Sequence, residues 1–276
     1  MMNSKTATPD DVLPMSWDGV HSKIAEVTLG FWILKILGTT LGETAGDFLS
    51  MTLGLGYYTS FFITFAILAV LIVWHVRTKM QHPMLFWSTV VATTTAGTEI
   101  SDMMDRSFGL GYAMGSALLT AGLLATLAWW YVRERNLKVH PISSPGVEVL
   151  FWIAVVFSNS LGTAFGDFLT DNMDLSYLQG ALLTSAIIAV VALLHYSRKV
   201  NDVILFWVAF VFTRPFGATF GDFLTKPIEK GGLALPREMA SLVTLALMLG
   251  ILATLAGHEV HRLRSTLSRH VARNPA

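Results

Sequence analysis

Two kinds of apolar stretch alternate along most of this chain. Four stretches are almost wholly apolar, and they lie near residues 59–74, 111–131, 178–196 and 239–257. Four others mix apolar residues with Trp, Thr, Gly and acidic residues, and they lie near residues 25–49, 83–105, 147–170 and 203–225. Together with its flanking residues, each stretch is long enough as a helix to cross a hydrocarbon layer of about 30 Å. The pattern predicts eight transmembrane helices in four two-helix units.

A nine-residue motif marks the first helix of each unit. Its copies begin at Gly42, Gly97, Gly162 and Gly217, and each has Asp at its sixth position. A Phe-Trp pair precedes every copy, and the Trp lies 15 residues before the Asp. The intervals between successive tryptophans are 55, 65 and 55 residues, so the units form two halves offset by 120 residues. Self-similarity of this kind indicates an internally repeated architecture.

The repeat also sets the predicted domain boundaries. The first half covers residues 23–138 and the second half covers residues 139–258. A polar N-terminal tail, residues 1–22, precedes them, and a basic tail, residues 259–276, follows. Both tails are predicted to be cytoplasmic.

The composition is that of a membrane protein. Hydrophobic residues make up 53% of the 276 residues and charged residues 14%, and the mean hydropathy is +0.56, which is too apolar for an ordinary soluble domain. The net charge is zero, and nothing indicates a nucleic-acid partner. Cysteine is absent, which excludes disulfides and thiolate metal sites. No phosphate-binding loop, nucleophile triad or dinucleotide fingerprint is present, so we expect neither an enzyme nor a bound cofactor.

The basic residues predict the orientation. Thirteen Lys and Arg residues fall on the side of both termini, and four fall on the other side: Arg106, Lys226, Lys230 and Arg237. Because cytoplasmic loops are enriched in Lys and Arg, both termini are predicted to be cytoplasmic. Each unit contains two spans, so all four units enter the membrane in the same direction. The sequence therefore predicts parallel repeats with pseudo-rotational symmetry about the membrane normal.

Four tandem two-helix units with a Phe-Trp pair in each first helix resemble a family of bacterial membrane proteins described as repeats of unknown function. The resemblance covers about residues 24–257, and the placement of the tryptophans is its most specific feature. It implies the eight-helix architecture and a bacterial inner-membrane location. It implies no particular substrate.

The motif places acidic residues at one end of the first helices. Fifteen residues of helix rise about 22 Å, so each Trp is expected to anchor at one interface, with its Asp toward the other. Glu43 precedes Asp47 by four residues and Glu99 precedes Asp102 by three, so each pair shares a helix face. If the first helices converge, six carboxylates surround one cavity. The predicted principal ligands are Glu43, Asp47, Glu99 and Asp102, and Asp167 and Asp222 complete the ring. Oxygen ligands of this kind suit a hard metal cation or a proton pathway.

Polar residues below the acids predict a path and its counter-ions. Thr39, Thr94, Asn159 and Thr213 are predicted to line the path inward. Lys35 and Arg214 are the basic residues inside the predicted spans, each eight residues before an acid, and are predicted to be internal counter-ions. The alternative interpretation is packing, because small residues four apart allow helix backbones to approach closely in lipid. Packing explains the glycines but not Glu43 and Glu99, which are costly to insert.

The first motif is also similar to that of cation/proton exchangers for manganese and calcium, whose paired helices carry Glu-x-Gly-Asp. Here Glu43 and Gly46 are separated by one more residue, Phe48 replaces the basic residue of that motif, and the exchangers have inverted halves. The resemblance implies carboxylates that exchange a cation for protons. The ring of carboxylates, which can take up protons when it releases a cation, leads us to predict a proton-coupled exporter of a divalent or trivalent metal cation. A cation or proton channel, an organic-cation transporter, a non-transporting scaffold and a homo-oligomer remain open.

Overall fold

The computed structural model describes residues 24–78, 82–142, 144–197 and 199–273, with side chains as far as residue 255. Within these ranges the chain forms eight α-helices and no strand, so the all-α prediction is confirmed. The helices are α1 (Leu29–Asp47), α2 (Gly56–Arg77), α3 (Pro83–Asp102), α4 (Gly111–Glu134), α5 (Pro145–Asp167), α6 (Tyr177–Ser197), α7 (Asp202–Thr225) and α8 (Arg237–Arg273). The predicted N-terminal tail, residues 1–22, lies outside the described residues, and so do the side chains of the basic tail.

Local sequence explains where several helices begin. The hydroxyl of Thr28 accepts a hydrogen bond from the backbone N–H of Phe31 at 3.3 Å, which caps α1. Asn201 caps α7 in the same way. Pro83 and Pro145 are the first residues of α3 and α5, where a missing N–H costs nothing.

Six of the helices are long and apolar enough to span a membrane: α2, α4, α5, α6, α7 and α8 as far as Leu255. The two others, α1 and α3, carry more polar and charged residues, among them Lys35, Glu43 and Glu99. Both of these polar helices have a largely buried surface. Their polar residues therefore face other helices of the protein.

The first helices of the four repeats form a closed ring. α1 packs against α3, α3 against α5, α5 against α7, and α7 against α1. The second helices surround this ring, and each packs mainly on the first helix of the next repeat: α2 on α3, α4 on α5, α6 on α7 and α8 on α1. The second helices expose many large apolar side chains, such as those of Val70 and Leu193. A protein with this surface is suited to lipid rather than water.

The motif glycines hold the ring helices close together. Each packs against the residue seven positions after the Trp of the next repeat; the pairs are Gly42 with Thr94, Gly97 with Asn159, Gly162 with Arg214, and Gly217 with Thr39. A Cβ atom added to Gly97 would lie 3.0 Å from the backbone carbonyl carbon of Asn159, closer than packed atoms normally approach. The prediction that the small residues allow close helix packing is confirmed.

Aromatic side chains fill one end of the ring, which we call the Trp end. The ring centre of Phe31 lies 6.4 Å from that of Phe86 and 6.3 Å from that of Phe206. Trp87, Trp152 and Trp207 are no more than 6% exposed. The expectation that these three tryptophans anchor at the lipid interface is therefore wrong. Within each of these Phe-Trp pairs the two aromatic rings pack edge to face. Burial of their large apolar surface stabilises the ring of helices instead.

Candidate cation site

The opposite end of the ring, which we call the Asp end, gathers the six predicted acids. In the first three repeats the motif Asp is the last residue of its α-helix, and a π-helical turn follows: Phe48–Thr52, Met103–Ser107 or Phe168–Asn172. In the fourth repeat α7 continues to Thr225. π-Helical turns are rare and occur often at functional sites. None of the six acids is more than 4% exposed.

Three of the acids form a compact triad. One carboxylate oxygen from each of Glu43, Asp47 and Asp222 lies within 4.8 Å of the others. Glu43 and Asp47 come from α1, whereas Asp222 comes from α7, the neighbouring ring helix. Oxygen atoms at this separation can coordinate one cation together. Asp102 and Asp167 are not part of this triad, and a different basic side chain, that of Arg106, contacts both of them.

Two basic residues bridge the four motif aspartates in pairs, and we call them the bridging cations. Nε of Arg106 lies 3.3 Å from Oδ1 of Asp102, and its Nη2 lies 3.6 Å from Oδ2 of Asp167. Nζ of Lys226 lies 2.7 Å from Oδ2 of Asp47 and 3.0 Å from Oδ1 of Asp222. Each bridging cation therefore joins the aspartate four residues before it to the aspartate of the adjacent repeat.

Lys226 stands just beyond the end of α7 and is strongly held by its partners. Burial opposes the charged form of this amine, but the neighbouring carboxylates of Asp222 and Asp47 outweigh it and hold the pKa of Lys226 well above its usual value. Nε of Arg237 also lies 3.4 Å from Oδ2 of Asp47. Two positive charges thus compensate the triad at its outer edge.

Arg214 compensates the triad from within the ring. Its Nη2 donates hydrogen bonds to Oε2 of Glu43 at 2.8 Å and to the hydroxyl of Thr98 at 2.6 Å. Its side chain is fully buried, and among the described residues its Nε and Nη1 have no hydrogen-bond partner. The predicted counter-ion is therefore placed against Glu43 on α1 rather than against Asp222 on its own helix.

Glu99 is buried differently from the other acids. It is fully buried, and neither carboxylate oxygen has a hydrogen-bond partner in the part of the chain that the structure describes. It interacts electrostatically with Asp102, Asp47 and Glu43, so it belongs to the same group of carboxylates. An unpaired buried carboxylate is costly. A bound cation or a proton would therefore stabilise the buried carboxyl group of Glu99.

Among the described residues, Lys35 contacts no carboxylate. Its ammonium group donates a hydrogen bond to Oδ1 of Asn159 at 3.0 Å and lies 4.1 Å from the ring centre of Phe210. Asn159 in turn donates to the hydroxyl of Thr93 at 3.0 Å. Eight residues of helix rise about 12 Å, so Lys35 lies two turns away from Glu43. This separation explains why the structure does not pair them.

The predicted path threonines bond to the backbone of the ring. The hydroxyl of Thr39 donates to the carbonyl oxygen of Thr213 at 3.2 Å, and that of Thr94 donates to the carbonyl oxygen of Gly38 at 3.0 Å. Thr213 donates to the carbonyl oxygen of Phe210 in its own helix at 2.8 Å. The hydroxyls of Thr39 and Thr94 therefore connect neighbouring ring helices, and the role of all three threonines in a path stays a prediction.

Sequence reasoning missed the bridging role of Arg106 and Lys226. A signal was present, because the two residues are 120 apart, which is the offset of the halves, and each follows its motif Asp by four. It also missed a buried pair at the Trp end, where Nδ1 of His75 on α2 lies 2.5 Å from Oε1 of Glu148 on α5. Glu148 gave no signal, since the equivalent positions in the other repeats are Thr28, Pro83 and Val203.

An all-α chain of four two-helix repeats, with several helices of membrane-spanning length and apolarity, is a multi-pass membrane protein. The chain matches the family described as Repeat of Unknown Function (DUF347) four times, over residues 30–81, 85–136, 150–201 and 205–259. It belongs to this family, as its Phe-Trp pairs and tandem units predicted. Comparison with curated proteins and with solved structures finds no match.

Proposed function

We propose that the protein is a membrane transporter for a hard, divalent or trivalent metal cation, and that Glu43, Asp47 and Asp222 form the centre of its binding site. The observation that carries this proposal is the convergence of three buried carboxylates within 4.8 Å. Magnesium, calcium and manganese prefer oxygen ligands of this type. Glu99 supports the same conclusion, because it is buried beside the triad and has no hydrogen-bond partner within the described ranges of the chain.

The charges at the Asp end support a divalent cation. Four basic residues contact the acids among the described residues: Arg106, Arg214, Lys226 and Arg237. If all six acids are ionised, two negative charges remain in excess. One divalent cation balances this excess, and so do two protons. The site thus has the charge requirement of an exchanger that releases a metal cation as it takes up protons, and export is the proposed direction.

The proposed setting is a bacterial inner membrane, with eight transmembrane helices related by pseudo-rotation about the membrane normal and both termini in the cytoplasm. The closed ring of first helices, with each second helix packed on the next repeat, supports this arrangement. α1 and α3 can cross the membrane despite their polarity, because neighbouring helices shield their polar faces. In this orientation the Asp end faces away from the cytoplasm.

A non-transporting membrane scaffold is the second candidate function. It is favoured by the basic contacts of five of the six acids, which neutralise much of the charge without any bound ion. Buried ion pairs of this kind can also serve to fix one arrangement of helices. In a scaffold Glu99 would be protonated, and no cation would bind at the Asp end.

Metal cations are expected to stabilise the purified protein against heat. A ligand that binds only the folded state adds about 2.7 kcal/mol of stability at a concentration 100-fold above its Kd. We expect magnesium, calcium, manganese or lanthanum to raise the Tm in detergent, and Asp47→Asn to abolish the increase. Asp174→Asn is the matched control, because Asp174 is an exposed loop acid near the Asp end.

Uptake into proteoliposomes separates transport from binding. The ion that raises the Tm should enter liposomes that contain the wild-type protein, and a pH gradient across the liposome membrane should change the rate of its uptake. If no ion raises the Tm of the wild-type protein, the proposed binding site is wrong. An ion that binds but does not cross would favour the scaffold.

A further inference from the structure

We propose that Arg106 and Lys226 are tethered cations that compete with the transported cation for the carboxylates and close the Asp end of the ring when no such cation is bound. This inference rests on the proposed function, since it names the groups with which the substrate competes. It is carried by the positions of the two bridging cations in the repeat, by their contacts and by their exposure.

The two bridging cations are equivalent by sequence and by structure. Both follow the motif Asp of an even-numbered repeat by four residues, and the corresponding residues of the odd-numbered repeats are Met51 and Asp171. Both contact their own aspartate and the aspartate of the next repeat around the ring. One surface ion pair would be unremarkable, but the same two-sided contact occurs twice, 120 residues apart.

The side chains of the bridging cations lie between the acids and the outside of the protein, because they are more exposed than the acids. The aspartates that they contact are no more than 4% exposed, whereas the side chain of Lys226 is 14% exposed and that of Arg106 is 33% exposed. Arg106 also donates a hydrogen bond to the hydroxyl of Tyr57 at 3.0 Å, which holds it across the end of α2. A cation that reaches the aspartates from the Asp end must therefore displace these groups.

Both bridging cations join the two halves of the chain. Arg106 of the first half contacts Asp167 of the second, and Lys226 of the second half contacts Asp47 of the first. A metal ion bound at the triad releases the connection through Lys226, and one that also takes up Asp102 or Asp167 releases the connection through Arg106. The buried pair of His75 and Glu148 joins the halves at the Trp end independently. Competition at the acids thus loosens one end of the ring while the other end stays joined.

Lys226 and Arg106 are not expected to compete equally strongly with a bound metal cation. Lys226 lies on the triad, where Glu43 supplies a third carboxylate beside Asp47 and Asp222. Glu99, with no hydrogen-bond partner among the described residues, interacts with Glu43 and Asp47 as well as with Asp102. Removal of Lys226 should therefore strengthen cation binding more than removal of Arg106.

Chemical labelling of Lys226 tests the competition in the wild-type protein. Purified full-length protein is treated with an amine-acylating reagent in the presence of either manganese or a chelator. The modification of each lysine is then measured by mass spectrometry. We expect manganese to accelerate the modification of Lys226, since a displaced amine is free to react. Lys230, exposed in the same loop, is the internal control and should react equally fast in both conditions.

Substitution of the bridging cations gives a second measurement. Lys226→Met should tighten manganese binding by about tenfold or more, the effect of removing a competing charge-assisted contact, and Arg106→Met should tighten it less. Lys226→Arg, which retains a cation, should leave the affinity close to that of the wild type. Arg133→Met removes a half-exposed charge that pairs with the adjacent Glu134 and should have no effect.

The outcomes separate this inference from the proposed function. If manganese stabilises the wild-type protein but changes neither the labelling of Lys226 nor the affinity of Lys226→Met, the inference is wrong and the proposed function stands. If cations stabilise only Lys226→Met, the substitution has created the site, and both proposals are wrong for the wild-type protein. If manganese and the other cations stabilise neither protein, both proposals are wrong. If Lys226→Met does not fold, the labelling of the wild-type protein decides.

Discussion

Arg214→Met is expected to lower the stability of the protein far more than the loss of an exposed basic residue. The guanidinium group is fully buried, 2.8 Å from Oε2 of Glu43 and 2.6 Å from the hydroxyl of Thr98. Removal of one partner from a buried ion pair leaves the other charge uncompensated and costs about 3–5 kcal/mol. Thermal or denaturant unfolding of the purified protein in detergent measures the loss.

The control is Arg133→Met, because Nε of Arg133 lies 3.5 Å from Oε1 of Glu134 and both side chains are substantially exposed. An exposed pair of this kind contributes about 0–1 kcal/mol. Glu43→Gln combined with Arg214→Met removes both charges and should recover much of the lost stability. Equal stability of the Arg214→Met and Arg133→Met proteins would contradict a buried ion pair at Glu43.

The helices could be predicted from the sequence because the same pattern, a Phe-Trp pair followed by the motif Asp, occurs four times. The 15-residue spacing from Trp to Asp occurs in every repeat, so an error in one repeat would have been exposed by the other three. The packing partners could not be predicted in this way. Nothing in the periodicity states that α2 packs on α3, or that α7 closes the ring on α1.

The tryptophans illustrate the limit of local reasoning. A tryptophan side chain near the end of a membrane helix is equally favourable at the lipid interface and in a protein core. The choice depends on which face of the helix meets its neighbours. Trp152 is fully buried because its indole ring packs against Phe86 and Phe151, which lie on two different ring helices.

The basic residues at the Asp end illustrate the same limit for charge. Arg106 follows Asp102 by four residues, so a local helix-surface pair accounts for it without any further partner. Its second partner, Asp167, is 61 residues away and becomes visible only when α3 and α5 are neighbours. Three of the four basic residues on the side opposite the termini contact the predicted acids: Arg106, Lys226 and Arg237.

Gly217→Ala is expected to prevent the close approach of α7 and α1. The added Cβ would overlap the side chain of Thr39 and would lie 2.7 Å from its backbone carbonyl carbon. A side chain can rotate away, but a ring helix cannot shift without disturbing its other neighbours. Overpacking of this kind costs about 1–3 kcal/mol and sometimes more. The Tm and the yield of monodisperse protein measure the effect.

Two other glycines turn this prediction into a series. An added Cβ at Gly46 would lie 3.1 Å from Cβ of Thr98, whereas one at Gly250 on α8 would have no atom within 4 Å. Gly250→Ala should therefore be neutral, or stabilising by about 0.5–1 kcal/mol, because alanine favours helix. We expect the Tm to fall in the order Gly250→Ala, Gly46→Ala, Gly217→Ala. A Gly217→Ala protein as stable as Gly250→Ala would mean that the ring helices are not in close contact, and the carboxylates of α1 and α7 could then not share one cation.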